Sequence, residues 1–237
     1  MNVLIDQIQW PCEISHSLKT QLVEISSIIH GVDKFICTRQ MASVPAVYYV
    51  QEGVASFRLC SEGIKGVNSL LIGPGDWIGG SAIAQDMKLF VSVEEIESMS
   101  LVSFPKEKIF KLAQSNNEVY KWLYYCAMEI QKILLQAQIS SLYDREIRTV
   151  YALLDIANRV KSVKGSMSTI KISQHQLSLI TGISRPRVNE VLKSLEKKGE
   201  IIIQRECIYL ADLQALGARI ENLNLMFNDP RKDVENQ

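Results

Sequence analysis

Two short amphipathic helices separated by a tight turn are predicted within residues 172–199, ISQHQLSLITGISRPRVNEVLKSLEKKG. Ser173 is a typical N-cap residue for the first helix, and Gly182 stands where the chain leaves that helix with a positive φ. Ser184 is placed to cap the second helix, whose first turn accepts Pro186 because no backbone N–H is needed there. The second helix has one apolar stripe at helical spacing, formed by Val188, Val191, Leu192 and Leu195.

The opposite side of the second helix is basic and polar. Residues 164–205 hold eight Lys or Arg against three Glu, in a chain whose formal net charge is zero. Arginine and asparagine have the groups that recognise guanine and adenine edges, and lysine suits phosphates. We therefore expect a contact surface for double-stranded DNA made by Ser173, Gln174, His175, Ser184, Arg185, Pro186, Arg187, Asn189, Glu190 and Lys193.

These residues have different predicted roles. Arg185 and Asn189 are expected to read base edges, whereas Arg187 and Lys193 are expected to contact phosphates. Glu190 can either accept a hydrogen bond from cytosine or orient an arginine. The competing interpretation of the segment is an ordinary amphipathic helix pair with a solvated basic face.

The sequence EIIIQRECIYL, which follows Gly199, is rich in β-forming residues around a polar turn. It predicts a hairpin with strands at 201–203 and 208–210 and a turn near Arg205 and Glu206. A hairpin directly after the second helix makes the module a winged helix-turn-helix. Arg205 is then a candidate contact to the phosphate backbone.

This module, near the end of a chain of 237 residues, resembles that of the cyclic-AMP receptor protein and fumarate–nitrate regulator (Crp–Fnr) superfamily of bacterial transcription regulators. Three further segments are similar to the superfamily: YYVQEGVASFRL (48–59), LLIGPGDWIGG (70–80) and SLVSFPKEKIF (100–110). The resemblance implies an α+β fold. Its parts would be an N-terminal antiparallel β-roll of the jelly-roll type (1–116), a dimerisation helix and hinge (117–143) and a C-terminal winged helix-turn-helix domain (144–237).

Residue patterns along the chain agree with this division. Alternating segments predict strands at 48–50, 54–59, 67–72, 90–93 and 101–104. Asp144 is a typical N-cap for a helix that begins the last domain, and the tail after Phe227 is expected to fray.

A heptad seam runs along the helix predicted at 117–140. Such a seam is typical of a helix that packs against its copy in a homodimer, and the alternative is a core helix of a monomer. Trp122, Tyr124 and Tyr125 indicate that part of the helix packs on the β-roll. The superfamily uses this helix to form a homodimer, which implies a dimer interface at Tyr120, Leu123, Ala127, Ile130, Leu134 and Ala137.

The chain departs from the cyclic-nucleotide binders of the superfamily, which use a glutamate for the ribose and an Arg–Ser pair for the cyclic phosphate. Gly80 occupies the glutamate position, and Leu89 and Phe90 lie near the Arg–Ser pair, with only Lys88 as a nearby cation. A buried phosphate would lack its bidentate arginine, so we expect no control by cyclic AMP or cyclic GMP. The effector stays open between an apolar or weakly charged ligand, a thiol-based signal and no effector.

The base-facing pattern of the superfamily, Arg-Glu-x-x-x-Arg, is also changed. The first arginine is kept as Arg185, but Pro186 and Glu190 occupy the other two positions. We therefore expect the bound sequence to differ from the TGTGA half-site that the superfamily commonly reads.

Cofactors and enzyme chemistry are not expected. The five cysteines are scattered without metal-ligand spacing, the clustered cysteines of iron–sulfur relatives are absent, and haem binding by His30 is disfavoured. The sequence has no hydrolase triad pattern, P-loop or HExxH, and no apolar run long enough for a membrane span. We expect a cytoplasmic regulator that contacts RNA polymerase if it is an activator. The competing function is a small-molecule or redox sensing module whose helix-turn-helix serves protein contacts.

Overall fold

The computed structural model describes residues 3–31, 44–59, 69–83, 91–160 and 168–231. The chain divides into two compact units, Met1–Ile64 with Ile72–Lys132, and Lys65–Leu71 with Ile133–Gln237. The described parts contain α-helices and antiparallel sheets, which confirms the predicted α+β class.

Antiparallel strands and short helices make up the N-terminal part of the chain. Strand β5 pairs with both β1 and β2, and the short β4 also pairs with β2. The elements are a 3-10 helix Ile5–Gln7, α1 His16–Ile25, β1 Ser27–His30, β2 Ala46–Leu59, β3 Ser69–Ile72, β4 Trp77–Ile78, α2 Gly80–Ile83, β5 Val91–Pro105, α3 Lys106–Ala113 and α4 Glu118–Ser141.

The strands predicted at 48–50 and 54–59 are one continuous strand, β2. The same holds for 101–104 and the described part of 90–93, which both lie in β5; residues 67, 68 and 90 lie outside the described residues. The register between β2 and β5 shifts around Gly53, which has a φ of +84°. A Cβ there would lie 2.2 Å from the carbonyl oxygen of Ser98, so this bulge requires glycine.

Trp77 is the centre of the first unit's aromatic core. Its ring centroid lies 5.1 Å from that of Tyr49, 5.6 Å from that of Phe104 and 5.7 Å from that of Trp122. Trp122 is completely buried, as the sequence predicted for one side of α4, whereas Tyr124 on the same helix is 60% exposed. The expectation that Tyr124 packs on the sheet was therefore wrong, because one helix turns only part of its surface inward.

The second unit surrounds α5 with smaller elements. These are α5 Arg145–Arg159, β6 Ser168–Ile170, α6 Gln174–Thr181, α7 Arg185–Lys197, β7 Ile201–Gln204, β8 Cys207–Leu210 and α8 Leu213–Arg219. The carboxylate of Asp144 accepts hydrogen bonds from the backbone nitrogens of Glu146 and Ile147 at 2.8 and 3.0 Å, which confirms the predicted N-cap. Every residue from 149 to 156 is buried, because α6, α7, α8 and β6 all pack against α5.

Of the tail after Phe227 that was expected to fray, residues 228–231 are instead attached to the second unit, and residues 232–237 lie outside the described residues. The Asn228 side chain donates to the Tyr151 hydroxyl at 3.1 Å and to the Asp155 carboxylate at 3.0 Å. The Gln136 side-chain oxygen accepts from the backbone nitrogens of Phe227 and Asn228 at 3.2 and 3.3 Å. Gln136 and Asp155 are buried and need partners, and residues 224–231, here called the C-terminal strap, supply them.

We expect Asn228→Ala to lower the free energy of unfolding by about 1–3 kcal/mol, because the buried Tyr151 hydroxyl and Asp155 carboxylate lose a hydrogen-bond donor. Urea denaturation followed by circular dichroism measures this change. Asn222→Ala, at an exposed position just before the strap, is the matched control and should change stability by less than about 0.5 kcal/mol. Equal midpoints for the two variants would show that the Asn228 side chain does not contribute to stability.

Candidate nucleic-acid interface

The first helix of the interface, α6, is limited by two local signals. The Ser173 hydroxyl accepts from the backbone nitrogen of Gln176 at 3.1 Å, and the Gln176 side chain accepts from the backbone nitrogen of Ser173 at 2.9 Å. This reciprocal capping box satisfies two backbone donors at the helix start. The helix ends at Gly182 with a φ of +64°, as the sequence predicted.

The second helix, α7, also has its predicted limits. Pro186 lies in the first turn, and Ser184 occupies the N-cap position, although its side chain makes no capping hydrogen bond. Gly199 follows the helix end with a φ of +77°. The predicted stripe is removed from solvent, with exposed fractions of 0–5% for Val188, Val191, Leu192 and Leu195.

The polar residues predicted to contact DNA lie on the surface of α6, α7 and the hairpin that follows. Three of them, Ser173, Gln174 and Asn189, are half-buried. The other predicted positions are exposed: His175, Ser184, Arg185, Pro186, Arg187, Glu190, Lys193 and Arg205. The apolar stripe therefore leaves the basic side of α7 accessible to a partner.

Asn189 is tied to the first helix through Gln174. The Gln174 amide nitrogen donates to the Asn189 side-chain oxygen at 3.2 Å. Asparagine recognises adenine through both its nitrogen and its oxygen, so Gln174 shares a group that a base would use. An amide oxygen has two lone pairs, which lets Asn189 keep this bond and still accept from a base.

Glu190 makes an ion pair with Arg145, at the start of α5. The Arg145 guanidinium donates to the Glu190 carboxylate at 2.8 Å, and both side chains are more than half exposed. Of the two roles that the sequence left open for Glu190, this contact corresponds to orienting an arginine. Arg145 itself was missed in the sequence, because it precedes Glu190 by 45 positions and no spacing rule connects the two residues.

The predicted hairpin is present, and each strand is longer than expected. Strands β7 and β8 pair from Ile201 opposite Leu210 to Gln204 opposite Cys207, and β6 adds a third strand on the other side of β8. Arg205 and Glu206 form the two-residue turn, where Glu206 has a φ of +58°. The backbone nitrogen of Ile203 donates to Glu196 of α7 at 2.9 Å, so the wing is bonded to the second helix.

A partly buried charge cluster connects the end of α7 to α5 and α8. Glu200 is 7% exposed, and its carboxylate accepts from the Arg219 guanidinium at 2.7 and 2.5 Å. Arg219 also bonds Glu146, and the Lys198 ammonium lies 3.8 Å from the same Glu146 carboxylate. Hydrogen bonding to Glu200 raises the pKa of Arg219, as expected for a cation held between two carboxylates.

In the first unit, Gly80 begins α2 and lies directly against α4. A Cβ added to Gly80 would lie 2.8 Å from the Cβ of Cys126 and 3.0 Å from the backbone nitrogen of Ala127. Gly80 is the position where the resemblance expects a ribose-binding glutamate, and no side chain fits there unless α4 moves. Lys88, Leu89 and Phe90, named for the phosphate position, lie outside the described residues.

The described residues include three cysteines, none of them in a disulfide. Cys126 is buried, Cys12 and Cys207 are half-buried, and all three are free thiols; Cys37 and Cys60 lie outside this part of the chain. Burial raises the pKa of the Cys126 thiol well above its ordinary value. Within the same residues, no group of three histidine, cysteine or acidic side chains could hold a metal ion. No helix found there is long and apolar enough to cross a membrane.

Comparison with known proteins agrees with this geometry. The family model described as a Crp-like helix-turn-helix domain matches residues 147–219. No curated protein matches the chain in sequence. These residues, which include α6, α7 and the wing, are therefore a Crp-like helix-turn-helix DNA-binding domain.

Solved structures extend the similarity to most of the chain. A Crp/Fnr-family protein from Eubacterium rectale has a TM-score of 0.67 at 16% identity, over 90% of this chain and 98% of its own. The c-di-GMP-responsive global regulator CLP of Xanthomonas campestris has a TM-score of 0.63 at 18% identity, over 83% and 99%. A Crp/Fnr-family transcriptional regulator from Thermus thermophilus has a TM-score of 0.61 at 19% identity, over 84% and 100%.

The chain thus has the fold of Crp/Fnr transcription regulators, with a Crp-like DNA-binding domain at its C-terminal end. The resemblance found in the sequence is confirmed.

Proposed function

We propose that this protein is a sequence-specific transcription regulator that binds a palindromic DNA site as a homodimer and is not controlled by cyclic AMP. The observation that carries the proposal is the surface of α7. Its apolar stripe is buried while Arg185, Arg187 and Lys193 are exposed on a Crp-like helix-turn-helix domain. Such a helix can enter the major groove with its N-terminal residues against base edges.

Base reading is assigned to the N-terminal half of α7. Arg185 is exposed in the first turn and has the bidentate geometry that suits guanine. Asn189, on the next turn, is held by Gln174 and supplies adenine-type groups. Pro186 supplies no hydrogen-bond donor, so the bound half-site should differ from that of regulators with the Arg-Glu-x-x-x-Arg pattern.

Phosphate contacts are assigned to the surrounding residues. Ser173, His175 and Ser184 lie at or near helix N-termini, where backbone nitrogens and the helix dipole favour anions. Arg187 and Lys193 are exposed on α7, and Arg205 is exposed at the tip of the wing. These contacts would supply affinity and set the register without reading sequence.

Dimerisation is assigned to α4. Tyr120 and Tyr124 are 56% and 60% exposed on this helix, an unusual exposure for large aromatic side chains. Leu123 is only 8% exposed and belongs mainly to the core of its own chain. The remaining seam positions are half-buried and available to a second copy: Ala127, Ile130, Leu134 and Ala137.

Independence from cyclic AMP rests on Gly80. Because a Cβ at this position would collide with α4, a glutamate for the ribose hydroxyl cannot be placed there by substitution alone. The proposed organisation is a sensor (1–116), a dimer helix with its hinge (117–143) and a DNA-binding domain (144–237), working in the cytoplasm. An activator of this type would also contact RNA polymerase.

For DNA binding, a preferred site is selected by the wild-type protein from a randomised duplex pool. Arg185→Ala is then expected to weaken binding to the selected duplex by about 1–3 kcal/mol and to relax the preference at one position of each half-site. Fluorescence anisotropy with selected and scrambled duplexes at several salt concentrations measures both effects.

Lys111→Ala is the control for the loss of one exposed cation, because Lys111 lies on α3 in the first unit. Equal affinity of Arg185→Ala and wild type would contradict the assignment of Arg185. A wild-type protein without salt-dependent DNA binding would instead favour a helix-turn-helix that serves protein contacts.

For the oligomeric state, light scattering at tens of micromolar protein should give twice the chain mass of 26.8 kDa. Tyr120→Glu should shift the protein toward monomer, because it places a charge in the proposed seam while altering a residue that is exposed within its own chain. Lys132→Glu, on the opposite side of α4, should remain dimeric. A monomeric wild type would remove the support for a palindromic site.

For the effector, titration calorimetry with cyclic AMP at micromolar concentrations should show no binding, with a cyclic-AMP-binding relative as the positive control. The reason is the steric exclusion of a glutamate at Gly80. Tight micromolar binding would show that this chain holds the nucleotide in another way and would refute the proposed independence.

A further inference from the structure

Arg145 reaches the exposed surface of α7 from a different helix. Its guanidinium lies 2.8 Å from the Glu190 carboxylate, and both side chains are exposed, at 53% and 61%. On α7, Glu190 follows directly after Asn189, which is bonded to Gln174 of α6. The polar surface of α7 is therefore contacted by one side chain from α6 and one side chain from α5.

The backbone of Arg145 is firmly placed. Arg145 is the first residue of α5, after the Asp144 cap, and its carbonyl oxygen accepts from the Thr149 hydroxyl at 2.7 Å. Glu146, the next residue, is bonded to Arg219, which also holds the buried Glu200. The start of α5 is thus fixed to the end of α7 independently of the pair between Arg145 and Glu190.

A carboxylate at position 190 is unfavourable on a surface that meets a polyanion, unless a cation accompanies it. Arg145 supplies that cation. A guanidinium has five N–H donors, and its bond to Glu190 leaves donors for a second acceptor such as a phosphate oxygen. The superfamily pattern has an arginine at position 190, whereas here the positive charge comes from α5.

We infer that Arg145 is a phosphate-contacting residue of the DNA interface and that Glu190 is its positioning residue. The inference rests on the proposed DNA-binding function and deepens it. A phosphate is favoured over a base edge because Arg145 lies beside α7, and the sugar–phosphate backbones run along the sides of the groove that a recognition helix enters.

The test measures binding of the full-length protein to two labelled duplexes, the one selected by wild type and a scrambled one, over a range of salt concentrations. Arg145→Ala should weaken binding to both duplexes by the same factor. It should also reduce the slope of log K against log salt by about 1 per subunit. Arg145→Lys should restore the slope, because an ammonium keeps the charge.

Lys132→Ala is the matched control, because Lys132 is also an exposed cation paired with a carboxylate, that of Glu129, and lies on α4. It should leave the slope unchanged. Thermal melts verify that all variants are folded, which we expect because exposed ion pairs contribute little to stability.

Glu190→Ala, made in wild type and in Arg145→Ala, tests the positioning role. Without Arg145, removing the carboxylate should strengthen binding to both duplexes, because an unpaired negative charge near phosphates is lost. With Arg145 present, the same substitution should strengthen binding less, or weaken it, because the guanidinium loses its partner. The two effects should therefore differ.

An unchanged salt slope in Arg145→Ala would overturn the phosphate contact. Equal effects of Glu190→Ala in the two backgrounds would overturn the positioning role. Both results presuppose that wild type binds the duplexes. If wild type binds neither, the proposed function itself fails and this inference fails with it.

Discussion

The packing of α7 against α5 and α6 is the interaction on which the proposed DNA-binding surface depends. Val188, Leu192 and Leu195 are fully buried, which turns the opposite side of the helix outward. The exposed arginines and lysines of α7 lie on that outward side, away from the buried apolar stripe. The same packing brings α5 and α6 beside α7. As a result, two side chains from these neighbouring helices, Gln174 and Arg145, contact the polar surface of α7.

Charge pairs add to this apolar contact at the end of α7. Glu200 follows α7 and precedes the wing, and its buried carboxylate is neutralised by Arg219 of α8. Removing one member would leave a buried charge without a partner, which costs far more than the pair itself contributes. The end of α7, the start of α5 and α8 are therefore joined by direct contacts between charged side chains as well as by the chain.

Close approaches of backbone determine what the first unit can accommodate. Gly53 permits the bulge that keeps β2 continuous, and Gly80 permits α2 to meet α4 at Cys126. From the sequence alone, Gly80 shows only that the glutamate expected for ribose binding is missing. In the structure it becomes a position where any side chain would collide with α4, which is a stronger reason to expect that the first unit differs from cyclic-nucleotide binders.

The sequence by itself determined the limits of α6 and α7, the buried stripe and the wing. Caps, turns and helical periodicity depend on residues within a few positions of one another, so their signals are local. Only the tertiary structure decided that Asn228 bonds Asp155, that Gly53 meets Ser98 and that Arg145 pairs with Glu190. These partners lie far apart in the chain, and a single pair of side chains leaves no periodic pattern from which its contact could be predicted.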